Sequence, residues 1–120
     1  MKRAGTVMLW VVTLLVTVAM VGPGVQKFTG PTWQRMFRAW GYPEHFYLVI
    51  GAIEVLGGIG LLVPRLASAC AVVLMIVMAG AAATHLLHGQ TPVGDCVFMA
   101  MLGVVAFARW PGVLPRLRRV

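Results

Sequence analysis

Few residues in this chain could do chemistry, and the clearest is Glu54, a lone carboxylate inside the apolar run 46–63. A charge in an apolar layer is costly. The side chain is therefore expected to face other helices, to be paired, or to hold its proton. It could then handle protons or hydrogen-bond a polar headgroup such as a quinone carbonyl. Equally, it could be a neutral Glu whose hydrogen bond to a neighbouring helix fixes the packing. Gly51, Gly57 and Gly58 fall on its helix face by spacing and would let a neighbour approach closely. Thr13 and Thr17 lie at the matching depth of the first apolar run, so a Glu54–Thr13 or Glu54–Thr17 hydrogen bond is expected.

A second group gathers at the other end of the apolar runs. His85 and His88 are three residues apart on one helix face, and His45 and Glu44 fall at a similar level. Neutral imidazoles beside a carboxylate could relay protons or bind a transition metal. Two His at this spacing without a clear third ligand more often close a helix at an interface, so no metal is assigned. Haem would need His on facing helices at matched depth. His45 alone meets that condition with His85, and haem is not expected. No cofactor is assigned from these residues, and a quinone is one that they could engage. Lys27, Arg35, Arg38 and Asp95 could line a polar outer mouth, or simply meet solvent and headgroups. Cys70 and Cys96 form no C-x-x-C pair, and their depths differ by too much for a disulfide, so both thiols are expected to be free.

These residues need elements to hold them, and composition says which kind. Of 120 residues, 60% are hydrophobic and 11% charged, with a mean hydropathy of +0.89. A soluble domain carries roughly a quarter charged residues. A soluble enzyme, a disordered chain and a disulfide-stapled secreted domain are therefore excluded, leaving a small integral membrane protein. Four apolar runs, at 4–22, 46–63, 66–87 and 93–110, predict four transmembrane helices, since backbone in lipid must satisfy its own hydrogen bonds. The first run follows a basic start but is longer than a signal-peptide core and lacks an A-x-A site, so it reads as a retained helix that ends at Pro23. Short connections around Arg65 and at 88–92 predict antiparallel neighbours, hence a single all-α, up-down four-helix bundle over 1–120.

The longer first connection holds Trp33, Met36, Phe37 and Trp40 at helical spacing, with Pro31 before them and Gly41 after. A short amphipathic helix at 31–40 follows, lying on the membrane surface or capping the bundle with its aromatic face. Ten Lys and Arg against three acids give a net charge of +7. The basic residues flank the apolar runs instead of lining one face, which argues for anionic lipid headgroups and against nucleic acid. Lys2, Arg3, Arg65, Arg109, Arg116, Arg118 and Arg119 fall on one side and Lys27, Arg35 and Arg38 on the other. That bias places both termini in the cytoplasm.

The segments Lys27-Phe28, Ala39-Trp40-Gly41-Tyr42-Pro43 and Ile50-Gly51-Ala52-Ile53-Glu54-Val55-Leu56-Gly57-Gly58, together with the close of the third run at Gly80-Ala81-Ala82-Ala83-Thr84-His85, resemble the DoxX-like family of small four-helix membrane proteins. The resemblance covers nearly the whole chain. It implies a bacterial cytoplasmic membrane and a four-helix fold. It also implies a link to redox work, since some relatives serve as a membrane subunit of a thiosulfate:quinone oxidoreductase and others associate with oxidative-stress complexes. Some relatives carry a C-x-x-C pair. This chain does not, which removes the basis for thiol–disulfide chemistry. Two readings of function are left open: a redox-linked subunit engaging a quinone or other lipophile, and a non-catalytic module that anchors or regulates partner proteins or forms a homodimer. Neither makes the chain an enzyme on its own.

Overall fold

The structure, a computed structural model, describes residues 2–110, and of Lys2 the backbone alone. The basic residues at 116, 118 and 119 lie outside the described residues. Five helices follow one another: α1 (Lys2–Thr29), α2 (Thr32–Ala39), α3 (Phe46–Gly60), α4 (Ala67–Leu87) and α5 (Val93–Ala108). α1 and α4 are long and apolar enough to cross a membrane, and α3 and α5 are shorter apolar helices.

The four apolar helices run antiparallel in succession. Gly24 of α1 lies beside Gly51 of α3, and Val21 beside Gly58. Gly57 of α3 meets Leu74 of α4, and Gly60 meets Cys70. Ser68 of α4 donates to the Ala106 carbonyl of α5 across 3.0 Å. α1 packs on α5, which closes the ring. The central core, with Val16, Met20, Leu61, Leu74, Leu102 and Val105 fully buried, sits where all four helices meet. The outward faces are apolar as well, as at Val18, Leu56, Ile76 and Phe107. That is the pattern of a helix set surrounded by apolar material on all sides.

The largest departure from the expected boundaries is at α1. The break expected at Pro23 does not occur, and the helix runs on through Pro23 to Thr29. A proline inside a helix removes one backbone hydrogen bond and crowds the preceding turn. Apolar helices tolerate this where neighbours hold the segment in place. Here the extension is held by α3: Gly24 and Gly51 lie so close that a Cβ on Gly24 would stand 3.0 Å from the Gly51 carbonyl oxygen. The other helices fall inside their expected spans, and α3 ends three residues early, at Gly60 instead of residue 63.

Two helix ends carry the same C-terminal motif. After α2, the amide of Tyr42 donates to Phe37 O and that of Gly41 to Arg38 O, with Gly41 at φ +86°. After α4, Gln90 donates to His85 O and Gly89 to Leu86 O, with Gly89 at φ +71°. Both turns need the left-handed backbone that glycine adopts without strain. The first swings Tyr42 back toward the bundle, and the second turns the chain so that α5 returns beside α4.

Candidate ligand cavity and its polar pairs

Between the C-terminal halves of α1 and α4, the N-terminal half of α3 and the start of α5 lies a cavity of about 570 Å³. Its walls are apolar, with Met20, Ile50, Ile53, Ile76, Val77 and Ala81 among the lining residues. The roof is α2. Phe37 is buried, and Trp33, Phe37 and Trp40 line the cavity. The amphipathic helix therefore turns its aromatic face onto protein, which decides between the two placements left open by its sequence. Phe37 is the hub, its ring centroid 5.4 Å from those of Trp40 and Tyr42 and 6.0 Å from that of Phe46.

Three polar pairs break this apolar surface. The deepest joins Lys27 of α1 to Glu54 of α3, with Nζ 2.6 Å from Oε1 and the side chains only 4% and 5% exposed. The Lys27 ammonium also lies 3.8 Å from the centroid of the Trp33 ring, a cation–π contact that strengthens when desolvated. Burying two charges is costly, and mutual attraction with good geometry is what offsets it. This pair corrects the expected Glu54–Thr13 or Glu54–Thr17 bond. Thr13 is fully buried, and its hydroxyl donates to the Leu9 carbonyl of its own helix across 2.7 Å. Thr17 is buried near the Gly58 crossing, and its hydroxyl has no hydrogen-bond partner among the described residues. The physical reason is register. Because α1 continues two turns past Gly22, the level of Glu54 meets residues 24 and 27 instead of 13 and 17. Lys27 is accordingly a buried partner and not a headgroup-facing cation.

The second pair lies at the rim beside the α4–α5 connection. His85 Nδ1 of α4 bonds Asp95 Oδ2 of α5, with side chains 23% and 13% exposed. The sequence carries a signal for it: reflected through Gln90, at the centre of the short connection, position 85 falls opposite position 95. The Trp40 ring stands edge-on to His85 at 5.5 Å. The third pair is Tyr42 Oη with Thr84 Oγ1, and Thr84 also bonds the Gly80 carbonyl of its own helix at 2.8 Å.

The remaining candidates are placed elsewhere. His45 sits at φ 70° before α3, is exposed, does not line the cavity, and lies 3.9 Å from Glu44. It does not join His85. His88 turns to the Thr84 carbonyl at 2.8 Å. Among the described residues no cluster of three or more His, Cys, Asp or Glu is placed to hold a metal ion. Gly51, Gly57 and Gly58 do not serve one neighbour: Gly51 and Gly58 approach α1, whereas Gly57 approaches Leu74 of α4. Cys70 and Cys96 are free.

Compared with known proteins, residues 11–114 match the model of the DoxX-like family. The chain belongs to the DoxX-like family. No curated protein and no solved structure matches it. The DoxX-like family is membrane-associated, and the long apolar helices α1 and α4 agree with that setting. In this DoxX-like chain the segment around Glu54 meets Lys27 beneath the aromatic roof.

Proposed function

We propose that this DoxX-like protein is a multi-pass protein of the bacterial cytoplasmic membrane, with α1, α3, α4 and α5 as spans and both termini cytoplasmic. We further propose that it holds a quinone or similar lipophile under α2, as a redox-linked subunit of a larger assembly. The observation that carries the reading is the cavity: about 570 Å³, walled by aliphatic side chains, roofed by aromatic rings and furnished with three polar pairs. Ligand sites for molecules of this class are apolar, of roughly 300–1,000 Å³, with a few placed polar groups that set orientation.

The residues fit a ring lipophile of the quinone and quinol class. Trp33, Phe37, Trp40 and Phe46 offer flat faces to a ring, and the Lys27 ammonium is a donor for a ring oxygen. A bound quinone would supply the capacity to carry electrons and protons. The chain's own part is to hold the ring, orient its oxygens and exclude water. The helices α1 and α4 span roughly 42 and 32 Å at 1.5 Å per residue, against a hydrocarbon core of about 30 Å, which supports their crossing it. The seven-to-three split of Lys and Arg supports the orientation.

The test is native mass spectrometry of the protein released from its own membranes. A lipophile retained on the folded chain and lost on unfolding is the expected result. A folded chain that carries nothing from the membrane extract, yet keeps its partner proteins, favours a non-catalytic anchoring module and overturns the proposal.

A further inference from the structure

The outer rim of the cavity offers two acceptors that no group among the described residues fills, on Tyr42 and His85. Thr84 has one hydroxyl proton, and it goes to the Gly80 carbonyl at 2.8 Å. In the Tyr42–Thr84 pair the donor must therefore be Tyr42, because a second bond to Thr84 Oγ1 has only the tyrosine proton left to use. Tyr42 Oη is left with acceptor lone pairs alone. His85 follows the same logic. Its Nδ1 faces the Asp95 carboxylate, which accepts and cannot donate when ionised; in the neutral imidazole, the form this inference takes, the proton sits on Nδ1 and Nε2 is an acceptor. Nε2 has no partner among the described residues. Both groups line the cavity at the same end. The inner end differs: Lys27 brings an ammonium with three donors, ion-paired with Glu54.

From this polarity we infer that the cavity selects a ring lipophile in its hydroxylated form, a phenol or quinol, with the hydroxyl at the outer rim donating to His85 Nε2 or Tyr42 Oη. A carbonyl or an ether at that position would face acceptors and leave them unpaired. The inference rests on the proposed lipophile site and adds what the ligand must carry. Asp95 is the positioning residue, since it fixes the tautomer that makes Nε2 an acceptor.

Calorimetric titration of the full-length protein in lipid nanodiscs with 4-hexylphenol and with 4-hexylanisole tests it. The two probes share ring and tail and differ in the donor. The phenol is expected to bind about tenfold more tightly, the worth of one hydrogen bond to a well-oriented acceptor. In the Tyr42→Phe, His85→Phe double variant that ratio should fall toward one through weaker phenol binding, with anisole binding unchanged. In Asp95→Asn the ratio should also fall, because an amide can donate to Nδ1 and move the imidazole proton to Nε2. Equal binding of phenol and anisole by the wild type leaves the cavity reading standing and overturns this inference. Binding of neither probe overturns both. A ratio that survives the double variant overturns the assignment of the rim.

Discussion

Glu54 shows why a single carboxylate in an apolar chain is informative. Its cost forces a partner, and the partner is Lys27 at 2.6 Å. Taking away one member leaves the other buried and uncompensated, which destabilises a protein by about 3–5 kcal/mol. Glu54→Gln and Lys27→Met should each lower the unfolding free energy in mild detergent by that order. The double variant Lys27→Met, Glu54→Leu should recover most of the loss, since an apolar pair of similar volume carries no desolvation cost. Singles as stable as the wild type would show that the pair is not held as described. That Glu54 must be secluded was legible in the sequence, because the argument needs only its place in an apolar run. The identity of its partner was not. Lys27 lies past a proline, among residues that read as a loop, and only tertiary contact with α3 keeps that stretch helical. The His85–Asp95 pair was missed, since His85 was grouped with His45 and Asp95 with the basic residues, although a short connection fixes which positions of two antiparallel helices face each other.

At the scale of elements, the α1–α3 crossing is the piece on which the site depends. A Cβ on Gly24 would meet Val55 Cγ2 at 2.8 Å, and one on Gly58 would meet Val21 Cγ2 at 2.7 Å. Gly22 and Gly5, on the same α1, have nothing within 4 Å. The two sets should therefore respond oppositely. Gly24→Leu or Gly58→Leu should spread the helices and lower stability by about 1–3 kcal/mol, the range for overpacking a close contact. Gly22→Ala should be neutral or stabilising by up to about 1 kcal/mol, because alanine restricts the unfolded chain and favours helix. Thermal unfolding followed by circular dichroism separates the outcomes, and equal losses at Gly22 and Gly24 would contradict the crossing. The existence of α3, α4 and α5 followed from apolar length alone. That of α2 followed from the spacing of Trp33, Phe37 and Trp40. The face that α2 presents to the bundle did not follow, since an aromatic stripe suits a membrane surface and a protein cap equally well.

At the scale of the molecule, the three polar pairs, the aromatic roof and the glycine crossing converge on one cavity, and holding a lipophile there is the central claim. Low overall charge and four apolar runs announced the helix set, but no sequence pattern announces a void, which exists only where side chains from α1, α2, α3 and α4 fail to meet. The most direct measurement is quenching of the protein's tryptophan fluorescence by a short-chain quinone or its quinol, because Trp33 and Trp40 line the cavity. Ala81 lines the same cavity from α4, and Ala81→Phe places a ring inside it. Saturable quenching by the wild type, replaced by a weak linear response in Ala81→Phe at unchanged thermal stability, is the predicted result. The same saturable curve in both proteins, or none in the wild type, would contradict it.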